Sequence, residues 1–131
     1  MDAPRPGRLE DAIIGIDVGG TKIAAGAVEP ASGTVVFRRE MPTRPERGGA
    51  AVLADIETLA ESTAAELRSD GRIPIAVGVG VPELVDATGQ IRSAHLLDWS
   101  VTPLAERLAA FGAVVIAADV RAAALAEARH G

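Results

Sequence analysis

A chain of 131 residues that is 48% hydrophobic and 24% charged has the composition of one folded domain with a modest core, not of a disordered segment. Its 13 basic and 18 acidic residues leave a net charge of −5 without a basic tract, which argues against nucleic acid or an anionic membrane as partner. The lack of cysteine excludes disulfides and thiolate-ligated metal sites and suits a reducing, cytoplasmic compartment, and no apolar run approaches the roughly 18 residues of a membrane span.

Residues 1–12 are polar and carry Pro4, Pro6 and Gly7. They lack the apolar stretch of a secretory signal and are expected to form a flexible leader. Ile13–Val18 and Lys22–Val28 are apolar runs of strand length, Glu29–Gly33 is a turn, and Thr34–Arg39 is a third strand, so an antiparallel meander is predicted. Met41–Gly49, punctuated by Pro42 and Pro45, reads as a loop. In Ala50–Ser69 the residues Val52, Leu53, Ile56, Leu59, Ala60, Thr63 and Leu67 recur at helical spacing, and Asp70-Gly71 ends the helix.

Ile75–Val81 is continuously apolar, as a strand covered on both faces should be. Val85–Arg92 is expected to be a small hairpin or extended excursion, with Asp86 and Gly89 forming an Asx-type turn. Thr102-Pro103 reads as an N-cap followed by proline at the first helical position, starting a helix that runs to about Phe111. Val114–Ala117 is the next buried strand and Val120–Arg129 the last helix. The predicted order βββαβαβα describes an α/β domain with a mixed five-stranded sheet and helices on its faces.

The densest chemistry lies where the first two strands meet. Asp17 ends the first apolar run, and Gly19-Gly20-Thr21-Lys22 joins it to the second. Gly19 and Gly20 let backbone N–H groups approach phosphoryl oxygens, Thr21 adds a hydroxyl donor and Lys22 a positive charge. Asp17 offers oxygen to a hard cation such as Mg²⁺, directly or through its waters. A Walker A loop needs Gly-Lys-Ser/Thr before a helix, and a dinucleotide fingerprint needs G-x-G-x-x-G before a helix; neither fits here. An ordinary hairpin with a Gly-Gly turn is the competing reading. Asp17 counts against it, because aspartate is seldom placed in an apolar strand without a task.

The spacing Gly15-Ile16-Asp17-Val18-Gly19-Gly20-Thr21-Lys22 resembles the opening of the ROK family (repressors, open reading frames and sugar kinases), which shares a superfamily with actin, hexokinase and the heat-shock chaperones. Three further segments match in order: Gly78–Pro82 with Val85–Ile91, then Leu96–Trp99 with Pro103-Leu104, then Ala118–Glu127. The resemblance covers Ile13 to Gly131 and implies a ribonuclease-H-like, actin-like ATPase lobe. It implies phosphoryl transfer from Mg²⁺·ATP to a hexose-type hydroxyl, with Asp17, Gly19, Gly20, Thr21 and Lys22 on the nucleotide and Asp119 as general base. It also implies that residues 13–131 are the N-terminal lobe alone. The C-terminal lobe, with the adenosine pocket, a second phosphate loop and any zinc site, is expected to be absent, so the missing lobe or a homo-oligomer is the implied partner.

On the acceptor side the residues depart from the family pattern. Glu83 stands for a glycine, while His95, Ala118 and Arg121 stand for asparagines. Asparagine amides both donate and accept, and each unmatched bond costs about 1–3 kcal/mol. Glu83, His95, Ala118 and Asp119 are the candidate acceptor residues. Read locally, Asp119 before a helix is also a standard N-cap, His95 a surface histidine, Asp98 a residue of the pocket mouth and Trp99 a structural anchor. The readings that follow are a sugar kinase lobe inactive as this fragment, a non-catalytic sugar-sensing regulator domain, or a truncated inactive family member.

Overall fold

The computed structural model describes residues 11–30, 32 and 35–118. Residues 1–10 of the expected leader, the start of the third strand at Thr34, Asp119 and the helix Val120–Arg129 lie outside the described residues. Strands β1 (Asp11–Val18), β2 (Lys22–Val28) and β3 (Val35–Pro42) form the antiparallel meander. Helix α1 (Gly49–Ser69) then leads to β4 (Ile73–Gly80), which lies parallel to β1. A long excursion carrying α2 (Leu104–Leu108) leads to β5 (Ala113–Ala117), parallel to β4. The sheet is mixed, in the order β3-β2-β1-β4-β5.

Alternation along each strand decides the core. Ile14, Ile16 and Val18 of β1 share a face with Ile23, Ala25 and Ala27 of β2 and with Val77 and Val79 of β4. Onto that face α1 packs Val52, Leu53, Ile56, Leu59, Ala60, Ala64 and Leu67, all buried. Fully burying one such aliphatic side chain stabilises by about 1.5–3 kcal/mol. The opposite face carries Ile13, Gly15 and Asp17 in register with Ala76, Gly78 and Gly80, and Ile13 and Ala76 form a second, smaller apolar cluster there. None of the described helices is long and apolar enough to cross a membrane.

Several boundaries differ from expectation. β1 starts at Asp11 rather than Ile13, so Asp11 and Ala12, expected in the flexible leader, are buried strand residues held by pairing with Ile73 and Pro74. β3 continues past Arg39 to Pro42, because Lys22 and Ile23 at the start of β2 pair with Pro42 and Met41. On an edge strand, proline at the end and exposed charge along the run are both tolerated. Part of the expected loop is therefore strand, and Pro45–Arg47 forms a 3₁₀ turn. β4 starts at Ile73 rather than Ile75, pairing with Asp11 and Ala12 across an irregular register at Pro74. Thr102 does not cap α2: Pro103 holds the cap position, and the Thr102 Oγ1–H donates to the Asp98 carbonyl (2.8 Å). Thr102 packs so closely on the start of α1 that a Cβ at Gly49 would lie 2.4 Å from its Oγ1. The helix is correspondingly short, passing into a 3₁₀ turn over Ala109–Phe111.

Candidate functional site

Strand register gathers one edge of the sheet. Asp17 pairs with Gly80 and Gly80 with Ala117, so the carboxyl ends of β1, β4 and β5 lie in a row. With strands about 4.8 Å apart, the outer members of that row are about 10 Å apart. The Val81 N–H donates to the Ala117 carbonyl (3.0 Å), extending the pairing by one residue. Asp17 and Ala118, both exposed, stand at this edge. Asp119 follows outside the described residues.

The β1–β2 turn projects from the same edge. The Gly19 N–H donates to the Lys22 carbonyl at 3.0 Å, and a Cβ on Gly19 would come within 2.9 Å of that oxygen. Gly19 is therefore required by close backbone approach. Gly20 differs: a Cβ there would meet nothing within 4 Å, so the chain itself does not demand glycine at that position. Neither residue has positive φ, so the turn is not the mirror-image type that Gly-Gly pairs usually serve.

Thr43 holds this turn from below and was not marked by any sequence pattern. Its side chain is fully buried. Its Oγ1–H donates to the Gly19 carbonyl (2.7 Å) and its N–H to the Thr21 carbonyl (2.9 Å). Arg47 in turn donates to the Thr43 carbonyl (2.7 Å) and to the Asp55 carboxylate on α1 (2.6 Å). With both carbonyls tied to Thr43, no bond among the described residues takes the N–H groups of Gly20 and Thr21. Two successive backbone donors without a partner among the described residues, with open space at Gly20, are the kind of feature that takes anions.

Lys22 lies beside the turn with its ammonium 3.1 Å from Glu40, and its side chain is 61% exposed. Hydrogen bonds from Lys22 and then from Arg38 hold the Glu40 carboxyl below its ordinary range. A surface pair of this kind is weak, so the ammonium can turn to a stronger anion at little cost. Asp17 borders a hollow of about 100 Å³ on the sheet face away from α1, with Gly15, Gly26 and Arg38 around it. Among the described residues no three His, Asp or Glu side chains cluster at metal-binding distance. One carboxylate completed by water and phosphate oxygens is the habit of Mg²⁺, and the exposed Asp17 at the end of β1, just before the turn, fits it.

The residues expected on the acceptor side are organised differently. Glu83 is only 5% exposed. Its Oε1 accepts from the Ser93 hydroxyl (2.5 Å) and the His95 N–H (2.8 Å), and its Oε2 from the Leu96 N–H and the Trp99 Nε1–H (2.8 Å each). Burial alone would raise its pKa, but these four donors outweigh it and bring the carboxyl down to about 2. Glu83, expected among the acceptor residues, thus has both oxygens engaged within the chain. His95 lends its N–H to this tie and is exposed. Trp99 is buried as the expected anchor.

Asp98 caps the short 3₁₀ turn Trp99–Val101 by accepting from the Ser100 N–H and hydroxyl. Asp86 makes the expected Asx turn, accepting from Thr88 and Gln90 and pairing with Arg92. The Thr88 hydroxyl, the Gln90 N–H and Arg92 hold its carboxyl well below the usual range. A cleft of about 500 Å³ opens between this segment and α2, with Ser93, Ala94, Asp98 and Trp99 on one side and Pro103 and Glu106 on the other.

The sequence model of the ROK family matches residues 13–131. The chain belongs to the ROK family. Over 123 residues it is 34% identical to the glucokinase of Streptomyces coelicolor, covering 90% of this chain and 36% of that protein. The glucokinase of Halalkalibacterium halodurans is 30% identical over 96 residues, 72% of this chain and 29% of that protein. Among solved structures, a ROK family glucokinase from Streptomyces griseus in complex with glucose and AMPPNP superposes with a TM-score of 0.62 at 29% identity, covering 79% of this chain and 32% of that one. A ROK hexokinase from Thermus thermophilus gives 0.63 at 28%, covering 81% and 34%. A ROK family transcriptional regulator matches at 0.58 and 14% identity, a likeness of fold alone. The mixed sheet of this ROK chain is that of the actin-like ATPase fold found in these sugar kinases. The chain spans about a third of the length of the curated ROK relatives it matches.

Proposed function

We propose that residues 13–131 are the N-terminal lobe of an ATP-dependent sugar kinase acting in the cytoplasm on a hexose-type acceptor. The observation that carries this reading is the β1–β2 turn, whose carbonyls are tied to Thr43 and whose Gly20 and Thr21 N–H groups have no partner among the described residues and are left to grip phosphate. The glucokinases among its relatives support it.

In this mechanism the turn and Lys22 hold the phosphates of ATP. Asp17 would hold Mg²⁺, directly or through water, and a bound ion would supply charge neutralisation to the phosphoryl oxygens. Asp119 takes the proton of the acceptor hydroxyl, whose oxygen bonds to the γ-phosphorus as the bond to the departing ADP oxygen breaks. His95 and Ala118 line the acceptor side, with Glu83 behind them. One lobe supplies only one wall of such a site, so residues 1–131 alone are expected to be inactive, and a second lobe or another copy of the chain completes it.

The test is Asp119→Asn in the full-length protein, assayed against free hexoses with Mg²⁺·ATP. Asparagine keeps the shape and capping ability of aspartate but cannot act as a base. Thermal stability is expected to hold while kcat falls by about 10²–10⁴-fold. A near-normal kcat would sink the mechanism. Non-catalytic sugar sensing is the second reading, favoured by Ala118 and His95 standing where the family pattern has asparagine.

A further inference from the structure

Between the end of β4 at Gly80 and the 3₁₀ turn at Trp99 the chain runs through residues 81–98 with a single isolated bridge, Val85 to Ile91. Stretches of this length without regular structure are uncommon in compact domains unless they serve a site. This one begins at the sheet edge that carries Asp17 and returns to border the 500 Å³ cleft through Ser93, Ala94, Asp98 and Trp99. Its shape between 93 and 99 depends on one group. The Ser93 hydroxyl, the His95 and Leu96 N–H groups and the Trp99 indole all donate to Glu83, which lies three residues beyond Gly80. Ser93 is also tied to the near side, accepting from the Leu84 N–H (2.8 Å).

A carboxylate accepts only, so it alone among side chains of this size can serve four donors at once. Charge-assisted bonds of this type are about twice as strong as neutral ones.

We propose that Glu83 is a positioning residue for the acceptor: by gathering Ser93, His95, Leu96 and Trp99 onto one carboxylate it fixes the segment that carries His95 and thereby sets affinity for the sugar. This rests on the kinase reading. It places Glu83 behind the acceptor, acting through the segment it holds and not touching the sugar. The glutamine variant keeps the volume but turns one accepting oxygen into an NH₂ that faces donors, so the gathering fails without leaving a cavity.

The experiment compares full-length wild type, Glu83→Gln and Ser93→Ala, using glucose, mannose and galactose with Mg²⁺·ATP. Trp99 is the only tryptophan, so its emission reports directly on the tie. In Glu83→Gln the emission is expected to move to longer wavelength. The KM of the best hexose should rise by about tenfold or more, while kcat and the KM for Mg²⁺·ATP stay within about twofold. Ser93→Ala, losing one donor of the four, should move both readouts the same way by less. A shifted emission with unchanged hexose KM overturns the positioning role and leaves the kinase reading standing, as does an unmoved emission. If wild type binds a hexose without turning it over, a hexose Kd about tenfold weaker in Glu83→Gln supports the positioning role and an equal Kd overturns it. If wild type neither binds nor phosphorylates any hexose, the kinase reading falls and the positioning role with it.

Discussion

The two ends proposed above for nucleotide and for acceptor are held by opposite means. At the nucleotide end the shape comes from backbone: β1 and β2 pair in register to Val18 and Ile23, and Thr43 fastens the turn carbonyls of Gly19 and Thr21. At the acceptor end there is almost no ladder, and a single buried carboxylate, Glu83, gathers donors from a loop. The first arrangement keeps two N–H groups in place whatever side chains surround them, which suits phosphate, a ligand common to every nucleotide reaction. The second makes the shape of residues 93–99 depend on one side chain. The difference teaches where change is tolerated: the turn is buttressed by sheet and helix, while the loop can be reshaped by one substitution.

The largest expected effect tests the dependence on charge at the acceptor end. The folded pKa of Glu83 is about 2, below the ordinary 4.5, so its bonds stabilise the fold fully above pH 4.5. That contribution, a few kcal/mol, is lost as the pH falls from 4.5 towards 2. Unfolding curves between pH 6 and pH 2.5 should show wild type losing more stability than Glu83→Gln, and parallel curves would contradict a charge-based tie.

The two turn glycines sharpen the comparison next. Gly19→Ala must push a methyl group against the Lys22 carbonyl and should cost about 1–3 kcal/mol in thermal unfolding. Gly20→Ala meets nothing and should leave stability within about 0.5 kcal/mol while weakening nucleotide binding, read by titration with AMPPNP. Equal losses from both would mean that Gly20 also serves the fold.

Thr43→Val removes the hydroxyl beneath the turn, leaving the Gly19 carbonyl without its donor, and should cost about 1–2 kcal/mol. The KM for Mg²⁺·ATP should rise while the hexose KM stays level, the reverse of the pattern for Glu83→Gln. Thr43→Ser should restore most of it. The smallest effect is expected from Glu40→Gln. Releasing Lys22 from its surface partner should hardly move the melting temperature, whereas a large destabilisation would show that the pair belongs to the structure of the turn.

Much of the fold was legible because periodicity and pairing are local. The apolar runs of β1 and β2, the three- and four-residue spacing in α1 and the Asx chemistry of Asp86 each rest on residues close in sequence. So does the turn Gly19–Lys22 between the first two strands. Thr43 was not legible, since a threonine between Pro42 and Pro45 carries no pattern and its partners lie 22 and 24 positions away. Thr102 misled for a related reason: its capping signal was local, but contact with the start of α1 and with Asp98 drew its hydroxyl elsewhere.

Glu83 shows the division most clearly. By itself the sequence determined that a carboxylate stands just after β4, that β1, β4 and β5 are apolar strands, and that the chain carries the ROK pattern from Ile13 onward. Only the tertiary structure decided that this carboxylate turns inward to four donors 10 to 16 residues away. It also decided that Asp17, Gly80 and Ala117 form one row. Local propensity is set by near neighbours along the chain, whereas the partner of a buried polar group is set by whichever donors the packed sheet and loop bring within about 3 Å.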